Sequence, residues 1–244
     1  MADAKAPASI TSAVLDAVDD WSQPMLTYYD HASGERTELS AATLGNWAAK
    51  SANFFVDELG VAPGDEILID LPEHWQTVSI LLGAWWSAAH VRTPETDPDP
   101  ASMAAVITTV NLMPLYGAVD ELLIASLDPL AMGARDLPPG VTDFMTAVRV
   151  HGDQYRLAAP VGGAALDGGT TAAVVTAARL RADDDGIVTG SRVLSTRGWR
   201  IGAEIVDNLL APLVVGASLV AVAHPDPDRL AAVAGSERVT TTIR

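Results

Sequence analysis

The second half of this chain replays the first, and a duplicated pattern restricts the fold more than any single motif does. Gly60-Val61-Ala62-Pro63-Gly64-Asp65-Glu66-Ile67-Leu68 is answered by Gly186-Ile187-Val188-Thr189-Gly190-Ser191-Arg192-Val193-Leu194, with both glycines and the apolar strand positions kept. Each motif ends near a tryptophan, Trp75 or Trp199. Leu81-Leu82-Gly83-Ala84 through Ala88-Ala89 matches Leu209-Leu210-Ala211-Pro212 through Gly216-Ala217. Asp97-Pro98-Asp99-Pro100 with the helix-like run to Val106 is echoed by His224-Pro225-Asp226-Pro227 with the run to Val233. The tryptophans apart, partners stay 126 to 128 positions apart. Each half therefore reads as strand, helix, strand, a Pro-Asp-Pro helix start and a closing strand, which is the grammar of parallel α/β units.

Local signals fill in the elements. Ile10 to Val18 has helical spacing, Met25 to Tyr29 is β-prone, and His31 to Glu35 reads as a turn. Ser40 is placed to cap a helix running to about Glu58, with Leu44, Trp47, Ala48, Phe54 and Phe55 toward the core and Gly60 ending it. Glu66 to Leu71 is a buried-strand pattern, followed past Pro72 by a helix from about His74 to Ala89. A further helix is expected to start near Ala101, a strand at Glu121 to Ala125 and a short helix from Thr142 to Val148. The weakly patterned stretch with Leu137-Pro138-Pro139-Gly140 reads as a linker. The expected fold class is α/β: two similar lobes, mainly parallel sheets flanked by helices, divided as residues 1–136, a connecting segment 137–169, and residues 170–244.

Charge and composition narrow the function. With 31 acidic against 15 basic residues the formal charge is −16, which repels nucleic acid and anionic membrane surfaces. There is no cysteine, so no disulfide, thiolate nucleophile or Cys-bound metal. The start of the chain lacks the basic-then-apolar pattern of a secretion signal and no stretch is long enough to span a bilayer, so a cytoplasmic location is expected.

Taken in order, these segments resemble the two amino-terminal subdomains of the adenylate-forming enzyme superfamily, the group that includes acyl-CoA synthetases. Leu39 to Ala89 is similar to the stretch in which a helix precedes a Gly-Val-x-x-Gly-Asp turn, a strand, a Leu-Pro pair and a second helix. Thr189 to Ser195, Leu209 to Ser218 and Asp226 to Val239 are similar to the second subdomain. The resemblance implies ATP-dependent acyl activation, which in that family depends on a Ser/Thr/Gly-rich loop ending in Pro-Lys-Gly that holds the ATP phosphates. The one candidate here is Asp167-Gly168-Gly169-Thr170-Thr171-Ala172. Its Gly168, Gly169, Thr170 and Thr171 are the candidate cofactor-binding residues, set against a plain helix start in which Thr170 or Thr171 is the cap. No Pro-Lys-Gly follows, both lysines (Lys5 and Lys50) lie far upstream, and Asp167 places a negative charge beside any phosphate. The family's aromatic motif after the second strand is replaced by Ser195-Thr196-Arg197-Gly198-Trp199, and the family continues past a position like Arg244. No catalytic residue is assigned, and no cofactor is expected although ATP or AMP would suit an intact loop.

Other constellations are weaker. His31, His74, His90, His151 and His224 lack the spacing of a metal pair and most read as surface or turn residues, so no metal site is assigned. Asp183-Asp184-Asp185 lacks the alternation of a calcium loop and reads as a solvated helix end. Trp75, Trp85 and Trp86 either line an apolar ligand pocket or pack the core. The expectation is a non-catalytic binding or interaction module. The alternatives are a small-ligand protein with an acyl or nucleotide pocket between the lobes, and a ligase that needs a second chain. The last strand, Val239 to Ile243, is expected to leave an edge that another copy or a protein partner covers.

Overall fold

Strand pairing ties together segments far apart in sequence. The computed structural model describes residues 7–117, 119–156 and 163–244. After a short helix α1 (Ile10–Leu15), β1 (Pro24–Asp30) and β2 (Glu35–Ser40) form an antiparallel hairpin. β1 then pairs in parallel with β11 (Ser218–Ala223), which lies beside β10 (Arg192–Ser195) and, beyond it, β12 (Thr241–Ile243). This gives sheet A, in the order β12-β10-β11-β1-β2. Sheet B has the order β7-β6-β5-β3-β4-β8-β9, from β3 (Glu66–Ile69), β4 (His90–Arg92), β5 (Ala105–Thr108), β6 (Leu122–Ile124), β7 (Val141–Asp143), β8 (Ala164–Leu166) and β9 (Gly169–Thr170). Within sheet B all pairs are parallel except the β8–β9 hairpin. The fold class is α/β with two mainly parallel sheets, as expected. The sheets do not divide the chain at residues 136 and 169, however. β1 and β2 join the late strands, and β8, from the expected linker, joins the early ones.

The helices follow local chemistry. Ser40 caps α2 (Ala41–Asp57) by accepting the Thr43 N–H, and Leu44, Ala48, Phe54 and Phe55 point into the core. α3 (Trp75–Trp86) starts at His74, whose ring accepts the Gln76 N–H. α4 (Phe144–Val148) is capped by Asp143 and α5 (Thr171–Asp184) by Thr170. From Gly202 to Leu213 the helix is broken into α6 (Gly202–Glu204), a π-helical stretch Ile205–Leu210 and α7 (Ala211–Leu213). At its end the Ala211 N–H reaches back five residues to the Val206 carbonyl, and Pro212, which has no N–H to donate, follows in α7. α8 (Pro227–Ser236) packs Leu230 and Val233 on Leu194, Val220 and Val222 of sheet A.

One continuous core joins the inward faces of both sheets to α2, α3 and α5, with Leu26, Tyr28, Leu219 and Ala221 on one side and Ile67, Ile69, Val91 and Ile107 on the other. The alternation along β11 is clean: Leu219 and Ala221 face this core, while Val220 and Val222 face α8. Trp75 and Trp85 are core residues, and the Trp85 indole N–H donates to the Ala165 carbonyl at 3.0 Å.

One expectation needs correcting. The helix expected from Ala101 is a single 3-10 turn, Pro100–Ser102, capped by Asp99, because Ala105 to Thr108 is claimed by the sheet as β5 between β3 and β6. Two of the five histidines, His74 and His90, are the exceptions to the surface and turn expectation: they are buried, and each is tied to a backbone N–H.

Candidate functional site

The glycine-rich candidate loop is a tight hairpin turn. Asp167 and Gly168, between β8 and β9, both have positive φ (44° and 88°), the requirement of the two-residue turns that suit an Asp-Gly pair. Gly169 belongs to β9, Thr170 caps α5 by accepting the Ala173 N–H at 3.2 Å, and Thr171 is the first residue of that helix. The four residues are thus side by side, and each has a structural task.

The Asp167 carboxylate turns inward. Its Oδ1 accepts the Thr93 N–H at 2.8 Å, its Oδ2 accepts the Thr93 hydroxyl at 2.7 Å, and Thr96 Oγ1 lies 3.2 Å from Oδ1. Arg92 Nε is 3.8 Å away. The Gly202 backbone closes the other side, so near that any side chain at 202 would collide with Oδ2. The donors that gather here therefore already hold an anion, and it belongs to the protein. Lys50 is elsewhere, donating to the His151 carbonyl at 2.6 Å, and Lys5 lies outside the described residues.

A second site was not anticipated. In sheet B the chain goes from β3 to β4 on one side and returns to β5 on the other, so strand order reverses between β3 and β5, and ligands of open α/β sheets sit at the carboxyl ends of such a pair. At those ends lies a cavity of about 480 Å³ lined by Pro72, Val110, Leu112 and Leu127, with Arg200 at its rim. Just after β3, Asp70 is 2% exposed. It accepts the Tyr116 hydroxyl at 2.8 Å and both Nε and Nη2 of Arg200, at 3.0 and 2.7 Å. Burial and the neighbouring Asp70 carboxylate push the Tyr116 phenol well above its usual pKa. A carboxylate this deep needs such partners, because an unpaired buried charge is costly. The sequence signal was a lone aspartate closing the apolar run Ile67-Leu68-Ile69.

A larger cavity of about 560 Å³ opens at the amino ends of sheet A, beside Arg36, Glu38, Arg192 and Glu237. Glu237 binds there to the Tyr29 hydroxyl at 2.6 Å, to Arg36 at 2.9 Å and to Arg192 at 2.6 Å. This network holds the carboxyl end of α8 to the sheet, at the end opposite to where such sheets present ligands. Among the described residues no group of His, Asp and Glu is arranged to hold a metal, and no helix is long and apolar enough to cross a membrane.

Known structures share this architecture. An acyl-CoA synthetase from Brucella canis superposes with a TM-score of 0.77 at 17% identity, over 96% of this chain and 46% of that one. A benzoate CoA ligase from Burkholderia xenovorans LB400 gives 0.72 at 20% identity, over 96% and 49%. MatB from Rhodopseudomonas palustris gives 0.71 at 15% identity, over 97% and 49%. The fold is that of the adenylate-forming acyl-CoA synthetases and ligases, and the chain spans about half the length of these structures. No family model matches the chain. A curated "TIGR03089 family protein" from Mycobacterium tuberculosis (strain ATCC 25618 / H37Rv) is 41% identical over 244 residues, covering 97% of this chain and 99% of the relative. The chain belongs to the TIGR03089 family.

Proposed function

We propose that this protein uses the adenylate-forming scaffold as a binding or interaction module and does not itself form adenylates. The observation that carries the reading is Asp167, whose carboxylate takes the Thr93 amide and hydroxyl at the turn that the sequence resemblance makes the candidate phosphate loop. Two unit negative charges about 4 Å apart repel by about 4 kcal/mol at an effective dielectric near 20, enough to lower phosphate affinity several hundredfold. The cation at the turn is Arg92, 3.8 Å from Asp167 and already bound to Glu66, and no lysine among the described residues joins it there.

The test is ATP–pyrophosphate exchange on the purified protein, with a thermal-shift titration against ATP and AMP, since a ligand that binds only the native state raises its melting temperature. The expected result is no exchange above background and no shift with either nucleotide. Exchange proportional to protein, or a shift of several degrees, would return the protein to the enzymes.

A second reading has its own support in the cavity at the ends of β3 and β5. Its apolar wall and the fixed Arg200 guanidinium suit a small acyl or nucleotide ligand. Fatty acids and acyl-CoAs in the same thermal-shift series distinguish it, because a shift confined to them keeps ligand binding and discards pure scaffolding. For an interaction module the docking place we favour is β12, which stands at the edge of sheet A and can receive a strand from a second copy or a protein partner. A strictly monomeric protein in light scattering at tens of micromolar, with no co-purifying partner, removes that part of the proposal. A cytoplasmic setting fits a chain without cysteine.

A further inference from the structure

His90 is the first residue of β4, its side chain is 11% exposed, and both ring nitrogens are engaged. Nδ1 lies 3.0 Å from Glu66 Oε1 on the neighbouring strand β3. The Gly168 N–H donates to Nε2 at 3.0 Å. A backbone N–H can only donate, so Nε2 carries no proton, which places the proton on Nδ1, where Glu66 accepts it. Only the neutral imidazole, in this tautomer, satisfies both partners. Gly168 is also the neighbour of Asp167 in the β8–β9 turn, which is held at several points: Gly168 by the histidine, the Asp167 carboxylate by Thr93 and Thr96, and the Asp167 N–H by the Val91 carbonyl at 3.0 Å.

We propose that His90 is a proton-operated latch on this turn: protonation of its imidazole releases Gly168, and with it the Asp167 carboxylate, uncovering the Thr93 amide and hydroxyl. A proton added at Nε2 sets two donors against each other across 3.0 Å, and the Gly168 amide must turn away. The backbone is suited to that movement, since Gly168 has no side chain to restrict its φ and ψ. The charged groups facing the ring are Glu66 from β3, Arg92 from its own strand and Asp167 from the turn. Glu66 also takes Arg92 at 2.7 Å, and the freed Asp167 offers the imidazolium a second carboxylate. Burial, the largest influence, holds the imidazole below its usual pKa, with Arg92 acting in the same direction and both carboxylates opposing it. The turn is therefore shut at neutral pH and opens on acidification. The latch operates whether or not the protein forms adenylates, so it goes beyond the function proposed above and stands or falls separately.

The test is amide hydrogen exchange at Gly168 and Thr93, followed by NMR from about pH 7.5 to about pH 4.5, the range a histidine crosses, with each rate divided by the intrinsic rate at that pH. Protection of both amides is expected to fall about tenfold as the His90 ring titrates, the scale of one hydrogen bond, and to stay flat in His90→Gln. The glutamine amide oxygen accepts from Gly168 without titrating. His74 titrates in both proteins, so any global loosening cancels between them. An equal fall in the variant, or flat protection in the wild type across the His90 titration, overturns the proposal. Should His90→Gln not fold, the wild type decides: loss of protection at both amides that tracks the His90 ring titration, with a bare Nε2 at neutral pH, upholds the latch, and flat protection or a bare Nδ1 rejects it.

Discussion

Around β3 and around β10 the chain builds the same three-strand arrangement, β5-β3-β4 and β12-β10-β11, all parallel. It also bends at matched places: Ala88 and Gly216 have φ of 64° and 73°, and Asp97 and His224 have 44° and 46°. The differences lie in what fills the pattern. The first unit has a regular helix α3, buried from Trp75 to Trp85 and capped by His74, whereas the second has α6, the π-helical stretch and α7, where Glu204 reaches back to the Arg200 N–H at 3.0 Å. The first closes through a 3-10 turn and the second through α8. The longer path after β10 sends Arg200 across to Asp70, so one unit supplies the buried carboxylate and the other its counter-ion. Similar backbones have been given unlike tasks, and each difference can be probed by changing one member of a matched pair.

The largest expected effect concerns how the two helices are capped. His74 accepts the Gln76 N–H and is buried beside Glu35, Tyr28 and Trp75. Burial lowers its pKa to about 4, against the pull of Asp30 and Asp128. The folded-state value lies below the unfolded one, so the unfolded chain takes up the proton first. The contribution is complete above about pH 6.5 and is lost as pH falls toward 4, by roughly 3 kcal/mol in all. In His74→Asn, which keeps a capping oxygen but does not titrate, chemical denaturation should show that much less loss of stability over the same range. Identical slopes for the two proteins would mean that His74 is more solvated than its surroundings indicate.

Next come the matched left-handed positions. Gly216→Ala places a methyl group 2.5 Å from the Ala17 carbonyl and forces a positive φ on a residue that resists it, at a cost of about 2 kcal/mol or more. Ala88→Gly relieves a similar backbone strain but adds freedom to the unfolded chain, and the two nearly cancel, leaving a change within about 0.5 kcal/mol. Equal and opposite changes in the two variants would show that backbone conformation alone decides, and that the Ala17 contact contributes nothing.

The parts of the fold that were readable are those whose cause is local. Ser40 before an amphipathic run and Gly60 after it bound α2 almost to the residue, and the run Glu66 to Leu71 contains β3. Sheet membership was not readable, because the partner of Leu26 is Leu219 and no nearby residue encodes that choice. The Asp70–Arg200 pair spans 130 positions and was invisible for the same reason. The Pro-Asp-Pro match misled in one half, since capping by Asp99 and by Asp226 is alike but the residues that follow are drawn into β5 in one case and α8 in the other. At the Asp167-Gly168 turn the hairpin signal was present, yet glycine richness also describes a phosphate loop. The inward Asp167 carboxylate is the observation that supports the hairpin reading.

The smallest effect tests that separation directly. Thr170 and Asp226 both stand at helix N-termini, the first accepting the Ala173 N–H at 3.2 Å and the second the Asp228 N–H at 3.1 Å. If Thr170 is a cap and nothing more, Thr170→Ala should cost about 1 kcal/mol, as should Asp226→Ala. For a chain of this length that lowers the melting temperature by about 2–4 °C. Neither change should alter the response to ATP. A Thr170→Ala protein with unchanged stability but an altered nucleotide response would place the hydroxyl at a ligand instead of a helix end. It would also mean that the inward-facing Asp167 carboxylate gives way to phosphate more readily than its bonds to Thr93 imply.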